Sequence, residues 1–552
     1  MVQPWILRLA IDGVRSEQFS QKIVLYIVGI LGVTLLSCIF RFLMRWQIIG
    51  VSRRVEHDIR RVVFQHVLIL PREFFDRMST GDIMSRMTND VQRVRMILGP
   101  SLMQIGNTLF SLVFALTFMM LIDPKLTLLS LLPLPLMPII FYFLGKRIRR
   151  HSENVQKQIA AITSFSQENL TGIRVIKAYN LQDVESEEMD RLSDGYVKRN
   201  LSLVRVQGLF VPMSILLTGL STTLVLLLCG WWVIAGWITI GSVVAFLEYL
   251  AILSWPMFAI GWVTGQIQQG SAAMQRIQAV LNEKPSRGML PENGRLQDNS
   301  IDLSGAVTFK NVYFRYQPDQ PYILQNLSFS IDKGSTAAIM GASGSGKSTI
   351  IHLLTRSYTP NSGEILLNGH KIDELPEYVV REHIGIVPQN VILFSDTIRN
   401  NIIFGSRNVD QLDFDNILGS VQLERELSEF PRQLETQLGE RGVNISGGQK
   451  QRLTMARMLA KESGIILMDD PFSSVDIATE EKILDALLST HTDKTTILVT
   501  HRVNTARRAD KIFVLHNGAI VEEGTHDELI KKGAYYFELF KKQSLMEELE
   551  SI

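Results

Sequence analysis

The chain has 552 residues, enough for two or three domains, with 56 Lys and Arg against 55 Asp and Glu. That near-even balance points to no nucleic-acid partner. The two cysteines, Cys38 and Cys229, both lie inside apolar stretches; they form neither a disulfide framework nor a metal-ligand spacing, and read as two buried core thiols.

The N-terminal stretch "MVQPWILRLAIDG" has no basic n-region and no small-residue cleavage site, and it is too short and too charged to cross a bilayer. Long apolar runs come next near 23–44, 99–122, 126–145, 209–232 and 238–262, each close to the ~20 residues a bilayer helix needs. Five spans are therefore expected. Asp123-Pro124-Lys125 reads as a tight external turn, and Trp231, Trp232 and Trp237 read as an interfacial aromatic cluster. Arg45, Arg53, Arg54, Arg60 and Arg61 follow the first span, and Lys146, Arg147, Arg149 and Arg150 follow the third. Both flanks read as cytoplasmic, which places residue 1 outside, and the reading expects a further helix ahead of Met1. Pro133, Pro135 and Pro138 predict a kinked or loosened third span. Gln104 in the second span reads as a helix–helix hydrogen-bonding residue. Glu248, inside the last span, is a carboxylate at a costly depth, expected at an interface, paired with a partner, or facing a cavity for a cation or proton.

The polar-amphipathic stretches 45–98 and 146–208 carry helical spacing and read as helices continuing from the membrane into the cytoplasm, with inner turns at 79–91 and 164–179. A linker is expected at 282–300, where "NEKPSRGMLPENGRLQDNS" is rich in Pro, Gly, Asn and charge. Residues 1–281 then form the transmembrane domain. Residues 301–552 form a soluble α/β domain, with strand-like "AVTFKNVYF", "STAAIM", "GIILMD" and "TTILVT" alternating with helical pattern. The terminal run "KKGAYYFELFKKQSLMEELE" reads as a surface helix with solvated charges.

"GASGSGKST", Gly341 to Thr349, fits G-x-x-x-x-G-K-[ST] between a strand and an apolar helical run. In such a loop Gly341, Ser343, Gly344, Ser345, Gly346 and Thr349 shape a backbone cradle for phosphates, helped by the positive end of the helix. Lys347 would hold the β- and γ-phosphates of ATP, and Ser348 would bind Mg²⁺. Downstream, Ile465 to Asp469 is a buried strand ending in a carboxylate, the second Mg²⁺-side element of such sites.

Between these elements lies "NISGGQKQR", Asn444 to Arg452, whose Ser446-Gly447-Gly448-Gln449 turn resembles the signature sequence of ABC ATPases. The resemblance extends to Gln389 in "GIVPQNVILF", Tyr316 in "VYFRY", "TQLGERG" at 436–442, "SSVD" at 473–476 and His501 in "VTHR". The membrane half agrees, since "FFDRMSTGDIMSRMTNDV" looks like the first coupling loop of multidrug and lipid A exporters. Such exporters have six helices per half, and "PWILRLAID" looks like the stretch just after their first helix. The resemblance implies an α-helical exporter domain followed by an α/β P-loop ATPase domain, in a cell membrane with the ATPase cytoplasmic. It implies Tyr316 stacking on adenine, Gln389 touching Mg²⁺ and aiding catalysis, and His501 in a catalytic role. It also implies a half-transporter working as a dimer, with Ser446, Gly447, Gly448 and Gln449 meeting the partner's ATP. The cargo class is a hydrophobic or amphipathic small molecule, lipid or peptide.

In that family a glutamate normally follows the strand's aspartate and polarises the attacking water. Here the position is Asp470. Misplacing a reacting group by about 1 Å can cost on the order of 10²-fold in rate, so slow hydrolysis at an intact binding site is expected. This resembles one half of heterodimeric bacterial exporters, whose partner carries Glu at the matching position. A homodimeric exporter and a regulatory ATP-sensing membrane subunit are the alternatives.

Overall fold

The computed structural model describes residues 2–13, 19–131, 136–286, 288, 301–439, 442 and 444–550. Most of the linker expected at 282–300, together with Pro133, Pro135, Glu440 and Arg441, lies outside the described residues. Contacts divide the chain into two units, Met1–Val67 with Thr80–Glu283, and Leu68–Ser79 with Lys284–Ile552.

The first unit is helical throughout. A short helix α1 (Val2–Gly13) precedes α2 (Phe19–Leu68), a single 50-residue helix whose apolar half is exposed along its length. Cys38 lies on that exposed face, whereas Cys229 is buried. The expectation of two core thiols fails for Cys38 because an apolar run in a span need not be covered by protein; lipid tails solvate it equally well. Leu70 and Pro71 then break the chain, since the residue before a proline is driven out of the helical region. The short α3 (Arg72–Arg77) comes next and ends at Met78 in an extended conformation.

The inner turn expected at 79–91 is not a turn. Those residues form α4 (Thr80–Ser85) and a π-turn over Arg86–Asp90, which leads into α5 (Val91–Met96). The reversal lies instead at 69–79, where the proline stands. A second π-turn over Ile97–Ser101, with Pro100 inside it, joins α5 to α6 (Leu102–Ile122). The Asp123 carboxylate accepts the Leu126 N–H at 2.8 Å and starts α7 (Pro124–Leu131), so the chain turns at Asp123 as expected.

Helix α8 (Leu136–Thr171) runs far beyond the expected third span, and Pro138 falls in its first turn. The second reversal lies at Gly172 and at Tyr179–Leu181, on either side of α9 (Ile173–Ala178), and Asn180 has a left-handed φ of 54°. Then come α10 (Gln182–Gln207), α11 (Phe210–Ile234) and α12 (Ile240–Leu281). Among the described residues, the stretches Ile23–Leu68, Thr80–Ile122 and Gln182–Ile234 are helical, long and apolar enough to cross a membrane, and Ile240–Leu253 is a shorter apolar helix. Trp232 and Trp237 pair at 6.1 Å between ring centroids beside exposed Trp231, so the three tryptophans do cluster.

The apolar core of this unit joins Met119, Leu126, Val225, Phe246 and Tyr249 from four helices. Polar ties set the helix ends. Asp12 of α1 accepts from Gly241 N at 2.9 Å and from the Thr239 hydroxyl at 2.7 Å, covering donors that the first turn of α12 leaves open. Buried Asp90 takes a two-pronged ion pair from Arg276, 2.8 and 2.6 Å. Gly270 lets α12 approach α5 and the π-turn after it, because a Cβ there would lie 3.0 Å from Arg93 O and 2.3 Å from Ile97 Cδ1. Glu248 is half-buried, and its Oε2 has no hydrogen-bond partner among the described residues. The Gln104 amide lies 3.4 Å from Thr108 of its own helix, not across a helix pair.

The second unit carries two sheets. An antiparallel sheet, in order β2-β1-β4-β5, comprises β1 (Val307–Phe314), β2 (Leu324–Ile331), β4 (Ser362–Leu367) and β5 (His370–Lys371). The larger sheet, in order β10-β9-β3-β8-β7-β6, comprises β3 (Thr336–Met340), β6 (Ile384–Val387), β7 (Ile465–Asp469), β8 (Thr495–Thr500), β9 (Lys511–His516) and β10 (Ala519–Gly524). All but β10 run parallel, and β3, β7 and β8 are buried at every residue. Strands covered on both faces read as unbroken apolar runs, which is why β3, β7 and β8 are found where expected; β1, the fourth expected strand, is also present but lies in the antiparallel sheet with partial alternation.

Helix α13 (Lys347–Leu354) follows β3. The short helices α14 (Glu377–Glu382), α15 (Ile398–Ile403), α16 (Phe414–Ser420) and α17 (Glu424–Glu429) lead to α18 (Gly447–Ala460). The chain closes with α19 (Ile477–Thr490), α20 (Val503–Ala506), α21 (His526–Lys532) and α22 (Tyr535–Glu550). The segment 68–79, read from sequence as part of 1–281, packs within this unit: Ser286 N donates to Ile69 O at 2.8 Å, and the Tyr358 hydroxyl donates to the Asp76 carboxylate.

Candidate functional site

Three parallel strands deliver the site. Register places Met340 beside Thr500 and Asp469 beside Val499, so the carboxyl ends of β3, β8 and β7 open on one cleft. Ligands of open α/β sheets bind at that edge. The cleft has a volume of about 290 Å³, and Ser343, Gly344, Gly346, Lys347, Ser348, Thr349, Gln389, Asp469, Asp470 and His501 all line it. Ser343 and His501, 158 positions apart in sequence, thus share one wall.

The loop from β3 to α13 turns at Gly344 and Gly346, with φ of 81° and 103°, conformations that suit glycine. A Cβ on Gly346 would also lie 2.8 Å from Leu324 Cδ2. The Lys347 ammonium donates to Gly341 O and Ala342 O, both at 2.8 Å, so it is folded back on its own loop. Burial lowers its pKa, while Asp469 and Asp470 pull it the other way. The Ser345 hydroxyl is buried without a hydrogen-bond partner among the described residues, on the loop expected to receive phosphate.

Asp469 is pushed up by burial, against the Ser348 hydroxyl that hydrogen-bonds its charged form. Ser348, Asp469 and Gln389 present oxygen donors to the cleft, a set that suits a hard divalent cation. Asp470 stands at a left-handed φ of 47° and donates its N–H to Val499 O at 2.8 Å. Its Oδ1 lies 3.1 Å from His501 Nδ1. The short carboxylate therefore meets the histidine directly.

Tyr316, two residues beyond β1, does not line the cleft but is fastened to its helix. The Tyr316 hydroxyl lies 3.1 Å from both Thr349 Oγ1 and His352 Nδ1. Its ring packs edge-on against Phe314 and Tyr358 at 4.9 Å. Burial, then Arg72, lowers the His352 pKa beside this hydroxyl. Sequence reasoning did not find His352; a histidine inside an amphipathic helix carries no motif.

The signature residues stand elsewhere. Ser446, Gly447, Gly448 and Gln449 do not line this cleft. They open α18 as a capping box, with Gln449 N donating to the Ser446 hydroxyl at 3.2 Å and Ser446 N donating to Gln449 Oε1 at 2.9 Å. Buried Gln451 ties this helix to the 473–476 loop, accepting from Ser474 N at 2.9 Å and donating to the Ser473 hydroxyl at 2.5 Å. A helix of 14 residues thus begins at a capped turn, and the N-terminus of a helix carries the positive end of its dipole.

Comparison with known proteins gives the same division. Residues 1–257 match the ABC transporter transmembrane region, and residues 324–473 match the ABC transporter family. The chain is 33% identical to the probable multidrug resistance ABC transporter ATP-binding/permease protein YheI of Bacillus subtilis, covering 99% of this chain and 93% of that protein. It is 30% identical to the ATP-dependent lipid A-core flippase of Nitrosococcus oceani, covering 98% and 89%. A solved bacterial Atm1-family ABC exporter with ATP bound superposes with a TM-score of 0.80 at 26% identity, covering 98% of this chain and 94% of that one.

Proposed function

Because this chain belongs to the ABC exporters, in which a transmembrane domain is fused to an ATP-binding domain, we propose that it is the slowly hydrolysing half of an asymmetric pair. As an exporter of the multidrug and lipid type it is a multi-pass membrane protein that couples ATP use to export. The cargo we assign is a hydrophobic or amphipathic compound, in keeping with the drug and lipid named for its relatives.

In this reading Lys347 leaves its loop carbonyls for the β- and γ-phosphates, and the buried Ser345 hydroxyl gains an acceptor. Tyr316, held by Thr349 and His352, offers a fixed platform for adenine. Ser348, Asp469 and Gln389 would hold Mg²⁺, which neutralises phosphate charge when bound. The N-terminus of α18 would serve the partner's nucleotide, and the partner's signature would close this site. Closure of the two ATPase domains would then be passed to the membrane helices through 69–79 and 172–181.

One observation carries the asymmetric reading: the carboxylate at the position of the water-polarising group is an aspartate, 3.1 Å from His501. A base must come within hydrogen-bond reach of the water it activates, and the shorter side chain ends about 1 Å early. Binding survives; turnover suffers. The test is to purify this chain alone and measure vanadate-sensitive ATP turnover. Rapid turnover by the single chain would overturn the slow-site reading, and a co-purifying second half with Glu at the matching position supports it.

A further inference from the structure

We infer that Gln543, on the last helix of the chain, is a positioning residue for His501, which rests on the reading of this cleft as an ATP site. The terminal run looks from sequence like a solvated surface helix, yet α22 is mounted with care. The Glu522 carboxylate, itself buried, accepts from Tyr535 N at 2.8 Å and Tyr536 N at 3.0 Å, covering the first open donors of the helix. The Tyr536 ring is fully buried, and its hydroxyl lies 2.8 Å from His526 Nδ1. Phe540 packs on the same core. Tyr536, Phe540 and Gln543 are spaced i, i+4, i+7, one stripe of the helix, so Gln543 faces inward with the anchored residues.

That amide spends both ends on the loop that carries the histidine. Gln543 Oε1 accepts from Val503 N at 2.8 Å, and Nε2 donates to His501 O. Neither backbone group has a ladder partner there, because β8 ends at Thr500 and α20 begins at Val503. Only one orientation of the amide serves a donor and an acceptor together. Between them, Arg502 N donates to Thr500 Oγ1 at 3.0 Å, and the Arg502 guanidinium donates to buried Glu480 at 2.7 Å. The Gln543 and Thr500 links hold backbone groups of this loop, while the His501 side chain is 55% exposed and meets only Asp470, across 3.1 Å, among the described residues. Direction of that ring is therefore set by the backbone that Gln543 grips. Gln543 makes no contact with Lys347, Ser348 or Tyr316, so its loss reaches turnover through His501 and leaves nucleotide binding alone.

The test uses the full chain in the dimer in which it purifies, with single-turnover ATP hydrolysis, KM and Kd for ATP, and thermal unfolding read together. The variants are Gln543→Ala, Gln543→Glu, His501→Ala and the double Gln543→Ala/His501→Ala. Gln543→Glu keeps the shape and the Val503 bond but faces an acceptor with an acceptor at His501 O. Losing these bonds should lower the hydrolysis rate about tenfold, with KM and Kd within about twofold of wild type and no fall in melting temperature for Gln543→Glu. The double variant should be no slower than His501→Ala alone, since both changes act through one ring. The proposal is overturned if Gln543→Ala and Gln543→Glu hydrolyse at the wild-type rate, or if the double variant shows the two losses multiplied. It is also overturned if ATP affinity falls in step with rate, or if His501→Ala is itself silent. A chain that binds no ATP would overturn the site reading beneath it instead.

Discussion

Asp470→Glu lengthens one carboxylate by a methylene and changes nothing else in the cleft. The wild-type Oδ1 stands 3.1 Å from His501 Nδ1, with its backbone fixed by the N–H bond to Val499 O. The added methylene carries the carboxylate about 1 Å further into the cleft, a displacement worth on the order of 10²-fold in rate, or about 2.7 kcal/mol of barrier. The substitution has a cost as well. Residue 470 sits at φ 47°, a region aspartate tolerates better than most residues, so glutamate there should cost up to about 1 kcal/mol of stability. The assay is single-turnover ATP hydrolysis of the purified protein, with ATP affinity measured beside it. A large rise in rate at unchanged affinity is the expected result. If Asp470→Glu hydrolyses at the wild-type rate while still binding ATP, side-chain reach is not what limits this site, and the argument from geometry is refuted.

Three further perturbations separate binding, anchoring and frame. Lys347→Ala removes an ammonium that bonds only carbonyls of its own loop, so melting of the empty protein should barely change while ATP affinity falls about 10²-fold; unchanged affinity in a nucleotide titration would refute its phosphate role. His352→Asn tests the tyrosine anchor. Burial and Arg72 depress the His352 pKa, so the unfolded chain takes up its proton first, and the stability this residue contributes is present above about pH 6.5 and lost as pH falls through the lowered value. Thermal unfolding followed from pH 7.5 to 5 should fall more steeply in wild type than in His352→Asn, and equal slopes would count against the assignment. Glu480→Ala strips Arg502 and the Thr505 hydroxyl of their buried partner and should cost about 3 kcal/mol, read as a lower denaturation midpoint; a midpoint within error of wild type would show that solvent satisfies both groups.

How much of the molecule was open to sequence reasoning depended on range. The phosphate loop, the buried strands β3, β7 and β8 and the turn at Asp123 each depend on neighbours within a few positions, where glycine φ, side-chain caps and apolar runs act. Proline at position 71 was equally local, yet the reversal it imposes was placed some ten residues late, because helical spacing in 79–91 resembles that of a coupling turn when read without the break. Burial of Cys38 was misjudged for a different reason: along a span, apolar composition reports the solvent, and the solvent there is lipid.

The amino-acid sequence by itself determined the two-part architecture, the family and nearly every residue that lines the cleft, since these depend on composition and short motifs. Only the tertiary structure decided which of those residues touch. Parallel pairing of β7 with β8 sets Asp469 against Val499 and so brings Asp470 within hydrogen-bond reach of His501, 31 positions on. The fold of the last helix likewise places Gln543 across the backbone on either side of Arg502. Such contacts are set by sheet register and helix docking, which arise from the packing of the whole core and leave no trace in the spacing of nearby residues.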